Sequence, residues 1–439
     1  MKYILIILIT TDVFAGVENL FRDLKTDLIK FSECRLDMIW NDYSWDQLDK
    51  IYFSSQQYEK TFLFDFKNQI NIPMAYEDTP SFAFSTYGHE VINSENILSY
   101  NLDDWNTQKL VTKDYLLSLM FHENFHFFGQ SRIHANTVTR ADIYPYQESP
   151  RIYRAMVILN LLNTLNDPSK ASLYLSQAKY WNKKHQFEFE TDYHEINQLD
   201  MIEGSAEYVE IFSKILLQAD CHFSKEIFDS ILAKRKKWNR YFSTSEKDGQ
   251  AYIGGMLAYF IDYTLFNKTK SLDIKTEQGH YPIEVLLEGY SPIASEVDKE
   301  LFNLISGDID KKNQHIKVII DEYNFNQNQG AKLILISDDN IKVQGSYRVE
   351  SFIRLREELY GFYEIYEGFS GLFKGKKSMI QLKGVHSFMS YEKKCGEHQH
   401  GFWINDPKFK VEEIIDFKSE NIQIQTSSFT VDGNTICIK

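Results

Sequence analysis

The chain has 439 residues, of which 25% are charged, 43% are hydrophobic and only 8 are proline. This composition is typical of a globular protein with about two to four domains, and it excludes disorder, collagen and coiled coil as the main character. The formal net charge is -14, so the chain repels phosphate backbones and general nucleic-acid binding is not expected.

Residues 1–15 have the pattern of a secretory signal peptide. Lys2 precedes an apolar run over residues 3–9, and Val13 and Ala15 occupy the positions recognised at a cleavage site. The run is too short to span a bilayer, which needs about 20 residues. We therefore predict cleavage after Ala15 and an exported protein, periplasmic or secreted, without a stable membrane span. A buried N-terminal strand is the alternative.

An even number of cysteines permits two disulfides in an exported chain. The four are Cys34, Cys221, Cys395 and Cys437, and their pairing is open. Cys395 and Cys437 lie in the same terminal region and are the first pair to test, with four separate buried thiols as the alternative. Because no CxxC pair occurs, a cysteine-based zinc site is not expected.

In chain order, the predicted elements indicate an α+β protein. Residues 16–110 form a mixed segment with a helix at Val17–Phe31 and short extended pieces such as the alternating Ser81–Ser85. Residues 111–306 have helical periodicity. The predicted helices lie at 113–128, 151–165, 169–183, 198–217, 224–239, 249–266 and 296–305.

A change of pattern follows this helical region. The polar stretch Gly307–Gln314 is typical of a linker. An Asp432-Gly433 pair predicts a hairpin turn. Residues 315–439 are therefore predicted to form a β-rich C-terminal domain. Its predicted strands include His315–Ile320, Lys332–Ile336 and Ile422–Gln425.

Residues 122–126 carry the motif that indicates chemistry, HExxH. On a helix, His122 and His126 share a face and can bind one metal ion, while Glu123 can reach an activated water as a general base. Gly129 then ends the predicted helix. The alternative is a helix with two unrelated histidines, since three fixed residues can match by chance.

A catalytic zinc needs a third protein ligand, and the sequence offers two candidates. Glu203 shares a helix face with Glu207 and Glu210. Glu207 could orient a ligand histidine by a hydrogen bond to the ring nitrogen that does not bind the metal. A solvated acidic face is the alternative for this stripe. The second candidate is His134, two residues beyond the third histidine of the metzincin pattern, where this chain has Arg132.

These elements resemble the gluzincin zinc metallopeptidases, in particular the branch that contains the aminopeptidases. In that branch a second helix with a Glu-Gly pair follows HExxH, and Glu203-Gly204 is similar to it. A tyrosine that stabilises the oxyanion stands before a glycine, and Tyr252–Gly255 is similar to that element. The chain departs from the family in the long segment between His126 and Glu203, which implies an inserted set of helices at about 140–195. It also lacks the GxMEN element of the aminopeptidases.

The resemblance implies a zincin-like fold with a mostly helical metallopeptidase core. Zn2+ would be bound by His122, His126 and Glu203. Glu123 would be the general base toward a zinc-activated water, and Tyr252 would stabilise the oxyanion. The predicted function is an exported zinc-dependent metallopeptidase acting on peptide or protein substrates. The alternative is a non-catalytic exported binding or adhesion protein on a degenerate zincin scaffold.

Overall fold

The computed structural model shows a protein of mixed helix and sheet, which confirms the predicted α+β class at that level. The signal peptide predicted at 1–15 and the strand predicted at Ser81–Ser85 lie outside the described residues. Among the described residues, every helix is too short or too polar to serve as a transmembrane segment. The structure describes residues 20, 22–55, 60–66, 68, 70–75, 87–101, 112–135, 140, 142–237, 245–328, 331–337, 342–343, 351–355, 362–390, 399–404, 406 and 408–438.

The chain divides into two compact units that do not follow a single cut in the sequence. The first unit consists of Met1–Val138, Pro150–Thr244 and Asp248–Leu301. The second consists of Thr139–Ser149, Ser245–Lys247 and Phe302–Lys439.

The first unit contains a five-stranded sheet within the described part of the chain. Its strands are β1 (Lys50–Ser55), β2 (Lys60–Asp65), β3 (Ile70–Ala75), β4 (Tyr87–Ile92) and β5 (Glu95–Asn101). Their order is β3-β2-β1-β5-β4, with β1 and β5 parallel and the other neighbours antiparallel. A tight turn joins β4 to β5, and both of its residues, Asn93 and Ser94, have positive φ angles, which suits the right-handed twist of a hairpin.

Most of the other described residues of the first unit lie in helices and in the loops between them. The helices are α1 (residues 22–32), α2 (Lys113–Asn124), α3 (Glu148–Asn166), α4 (Ala171–Glu188), α5 (Glu190–Leu199), α6 (Ser205–Gln218), α7 (Lys225–Lys237), α8 (Lys247–Phe266), α9 (Leu272–Glu277) and α10 (Pro282–Leu286). The helices predicted between 113 and 266 coincide with α2, α3, α4, α6, α7 and α8 within a few residues at most ends, whereas most of α5 was not predicted. One core of buried apolar side chains runs through α2, α3, α6 and α8, so the hydrophobic effect fixes their packing.

Two turns of π-helix extend or join these helices. Phe125–Gly129 continues α2, and Asp200–Gly204 joins α5 to α6 without a break. The predicted helix over 198–217 is therefore one continuous helical path. The Thr112 side chain caps the start of α2 by accepting a hydrogen bond from the Tyr115 backbone N–H.

The linker at Gly307–Gln314 and the strand at His315–Ile320 are wrong predictions, because one long helix, α11 (Lys299–Asn328), covers both segments. Ile305, Ile309 and Ile316 are buried at helical spacing. A short apolar run has the same appearance in a buried helix and in a strand. A single helical glycine costs only about 1 kcal/mol, which the buried isoleucines outweigh.

Strands β6 to β16 of the second unit form one sheet within the described residues. They are β6 (Ile143–Tyr144), β7 (Lys332–Ser337), β8 (Lys342–Val343), β9 (Ser351–Leu355), β10 (Phe362–Lys374), β11 (Ser378–Ser390), β12 (Gln399–Ile404), β13 (Ile415–Lys418), β14 (Ile422–Thr426), β15 (Phe429–Asp432) and β16 (Thr435–Ile438). The main path is β15-β16-β7-β12-β11-β10-β9-β6, while β14 pairs with β11 and β13, and β8 pairs with β10. The strands predicted at Lys332–Ile336 and Ile422–Gln425 and the hairpin turn at Gly433 are confirmed.

A disulfide joins Cys34, just after α1, to Cys221, just after α6. The alternative of four separate buried thiols is therefore wrong. Cys437 is also disulfide-bonded, while its predicted partner, Cys395, lies outside the described residues.

Two glycines allow the turn before α6 to cross α8 at close range. A Cβ atom on Gly204 would lie 2.6 Å from the Gly255 Cα atom, and one on Gly255 would lie 2.6 Å from the Asp200 carbonyl oxygen. Real Cβ atoms do not approach other heavy atoms this closely, so each glycine is required by the contact. The glycines of Glu203-Gly204 and Tyr252–Gly255 thus meet each other, which brings the two motifs together.

Replacing Gly255 should test this crossing. We expect Gly255→Ala to lower the free energy of unfolding by about 1–3 kcal/mol or more, because the added methyl group overpacks the contact. Gly307 in α11 is the control, since a Cβ there would meet nothing within 4 Å, and Gly307→Ala should raise stability by roughly 0.5–1 kcal/mol. Urea unfolding of both variants measures the difference, and a neutral Gly255→Ala would contradict the crossing.

Removing the disulfide should destabilise the fold. We expect Cys34→Ser and Cys221→Ser each to lower the free energy of unfolding by about 2–5 kcal/mol, because the bridge restricts the unfolded chain across a sequence separation of 187 residues. The double variant should lose no more than either single variant, since all three remove the same bond. Denaturant unfolding under non-reducing conditions measures this, and additive losses would count against the bridge.

Candidate metal centre

Two helical segments of the first unit bring the predicted ligands together. His122 lies in the last turn of α2, and His126 lies in the π turn that follows it. Glu203 lies in the second π turn, Asp200–Gly204, which leads into α6. Because α2 packs against α6, the two π turns lie close to each other at one end of this helix pair. Turns of π-helix frequently occur at functional sites.

The two histidine rings converge on one carboxylate oxygen of the glutamate. Glu203 Oε2 lies 3.4 Å from His122 Nε2 and 3.5 Å from His126 Nε2. One ligand atom from each residue lies within 4.8 Å of those of the other two. Glu203 is fully buried and His122 is 7% exposed. Two imidazole nitrogens and a carboxylate at this spacing can hold a single metal ion.

His122 is also held from its other ring nitrogen. Its Nδ1 atom lies 3.5 Å from Glu210 Oε2, and Lys214 Nζ lies 2.7 Å from Glu210 Oε1. The sequence analysis predicted that Glu207 would orient a ligand histidine. In the structure, Glu207 forms with His122 and Glu210 a second group that could hold a cation. Glu210 contacts Nδ1 of this histidine, and the supporting role of Glu207 stays a prediction. The sequence signal for the Glu210 contact is the Glu210–Lys214 spacing of four residues on one helix face.

The electrostatics of the centre favour a cation. Burial lowers the pKa of His122, but hydrogen bonds and charge interactions with Glu203 and Glu210 outweigh burial and raise it to about 9. Burial raises the pKa of Glu210, whereas Lys214 and His122 lower it, and the net direction is down. The stripe of Glu203, Glu207 and Glu210 is buried, so its interpretation as a solvated acidic face is wrong.

Gln130 is a functional residue that the sequence reasoning missed. Its side-chain Nε2 donates to the Ile202 carbonyl oxygen and, over 2.8 Å, to Ser205 Oγ, which fixes the orientation of the amide. Its Oε1 atom then accepts from His126 Nδ1 at 2.8 Å. Gln130 therefore accepts a hydrogen bond from Nδ1, and Nε2 is the ring nitrogen directed toward Glu203, which is the arrangement that a metal ligand needs. Gln130 follows His126 by four residues, and that spacing is the signal in the sequence.

One of the two predicted catalytic residues, Tyr252, borders the same centre, and the other is next to a ligand histidine in the chain. Glu123 is buried directly after His122 on α2. The Tyr252 ring, on α8, lies parallel to the His122 ring, with 5.6 Å between centroids and an interplanar angle of 15°. The glycine crossing between the second π turn and α8 explains why Tyr252 is close to the centre.

The alternative ligand His134 is placed differently. It is exposed, and neither group that could hold a metal ion among the described residues includes it. Arg132, at the metzincin position, instead forms ion pairs with Glu277 at 3.0 Å and Asp42 at 2.9 Å. The structure therefore brings Glu203, and not His134, to the two histidines of HExxH.

Comparison with known proteins gives no relative from which a function could be transferred. No protein-family model, no curated protein and no solved structure matches this chain. The functional interpretation of the centre therefore depends on its own residues and geometry.

Proposed function

We propose that this protein is an exported zinc-dependent metallopeptidase of the gluzincin type, with a zincin-like core. The observation that carries the proposal is the convergence of His122, His126 and Glu203, with Glu123 on the same helix as both histidines. Segments far apart in sequence meet there and bring together the residue types that HExxH chemistry requires.

The residues fit zinc by the chemistry of their donor atoms. Two imidazoles and one carboxylate form a known ligand set of catalytic zinc, which leaves a further position for water or substrate. Gln130 and Glu210 hold the far nitrogens of His126 and His122, as outer hydrogen-bond partners do in zinc sites. When bound, zinc supplies a Lewis acid that polarises a carbonyl group and lowers the pKa of water.

The protein groups supply the proton transfers. Glu123 accepts the proton of the water that attacks the peptide carbonyl carbon, and it then returns this proton to the leaving amine nitrogen. The Tyr252 hydroxyl donates a hydrogen bond to the oxygen that becomes negative in the tetrahedral state. Since Glu123 is buried, its charge interactions at the site are stronger than they would be in water.

Two further features support an exported enzyme that acts on peptides. The Cys34–Cys221 disulfide is typical of an oxidising compartment. In the described part of the first sheet, β4 is an edge strand, and the ring of its His89 lies 5.0 Å from that of Phe127, in the π turn after α2. An extended peptide can add to such an edge through backbone hydrogen bonds, next to the residues that would hydrolyse it.

Substitution of the general base tests the mechanism. We expect Glu123→Gln to retain about one zinc per chain but to lower the rate of peptide cleavage by about 100-fold to 10,000-fold, because only proton transfer is lost. Cleavage of a peptide library, with and without a zinc chelator, measures activity and metal dependence together. Full activity in Glu123→Gln would contradict the mechanism. Wild-type protein that binds zinc and cleaves no peptide would favour a binding protein.

A ligand substitution with a matched control tests the metal site. We expect Glu203→Gln to weaken zinc binding by more than the roughly 10–100-fold that is typical for loss of an outer partner, because a direct ligand is lost. His134→Ala is the control and should leave zinc affinity unchanged. Competition with a chelating dye measures both dissociation constants. The opposite result, with weak binding only in His134→Ala, would transfer the third-ligand role to His134.

A further inference from the structure

A buried ion pair connects the inserted helices to the turn that carries Glu203. Arg154 lies on α3, within the segment that separates HExxH from Glu203, and Asp200 is the first residue of the π turn. Both side chains are completely buried, and Arg154 Nη2 donates to Asp200 Oδ1. Asp200 and Glu203 lie in the same π turn, so whatever holds Asp200 also holds the backbone that presents Glu203.

The same guanidinium group lies against the helix of Tyr252. A Cβ atom on Gly254 would overlap the Arg154 guanidinium, so the glycine leaves the space that Arg154 occupies. The neighbouring Gly255 leaves room for the Asp200 backbone. Arg154 therefore lies where the turn of Glu203 and the helix of Tyr252 meet, and it contacts both.

The ion pair is not optimised for stability alone. The Nε and Nη1 atoms of Arg154 and the Oδ2 atom of Asp200 are buried without hydrogen-bond partners among the described residues, and each such group costs free energy. Burial raises the pKa of Asp200 to about 7, while Arg154 acts to lower it. Because a buried pair is often no more stable than an apolar replacement, its position next to the metal centre is the better explanation for its presence.

We propose that Arg154 is a positioning residue of the metal centre, which fixes Glu203 through Asp200. The inserted helix α3 would thereby contribute to the geometry of the site. This inference rests on the proposed function in that zinc is the metal used to test it. It assigns no contact between Arg154 and the metal.

A matched pair of variants separates positioning from general stability. Arg151, on the same helix, is also buried and forms an ion pair, but its partner is Asp192 of α5, outside the π turn. We expect Arg154→Met to weaken zinc binding by about 10–100-fold. Arg151→Met should leave zinc affinity within about twofold, although both variants should lower the melting temperature of the metal-free protein.

Zinc dissociation constants from dye competition and melting temperatures with and without zinc are the two readouts. Arg154→Lys, which keeps the charge, should fold and show an intermediate zinc affinity, and it replaces Arg154→Met if that variant does not fold. Equal losses in the Arg151 and Arg154 variants, or unchanged affinity in the Arg154 variants, would overturn the positioning role alone. A wild-type protein without zinc affinity would overturn the proposed function and this inference together.

Discussion

Four carboxylates are buried beside two imidazoles in the core of the first unit, and the surrounding structure depends on how that charge is balanced. Glu123, Glu203, Glu207 and Glu210 are each no more than 8% exposed. Buried carboxylates are costly unless they are paired or bind a cation. Lys214 pairs with one of them, and a divalent ion between His122, His126 and Glu203 would balance more of the remaining charge. A cation bound there would therefore contribute to the stability of the folded centre.

The close packing around this centre follows from small residues at defined places. Gly204 and Gly255 let a turn and a helix approach until their backbones touch, and Gly254 leaves space for a buried guanidinium. Because each space is filled by a particular neighbour, the elements that carry Glu203 and Tyr252 have little freedom to move apart. The glycines of the two motifs thus act on geometry, whereas the proposed chemistry depends on the side chains beside them.

The sequence predicted most accurately what depends on helical spacing. His122 and His126 are four residues apart, so their common face followed directly from helix geometry. Glu203 was one of two candidates for the third ligand, because no local pattern shows which distant segment meets the HExxH helix, and the resemblance to a family favoured it. Gln130 was missed because its spacing of four residues from His126 gains meaning only once the partners of its amide are known. Only the start of α11 was predicted, within the helix at 296–305, because polar residues and a glycine interrupt the apolar pattern of the rest, while tertiary burial decides its conformation.

The disulfide has a topological consequence for the metal centre. Cys34 and Cys221 close a covalent ring of chain, and His122, His126 and Glu203 all lie on that ring, while Tyr252 lies outside it. A single proteolytic cut anywhere between the two cysteines would therefore leave all three ligands in one covalent molecule. An exported protein, as we propose this one to be, is exposed to foreign proteases, and this ring would let a nicked chain keep its ligands together for as long as the bond stays oxidised.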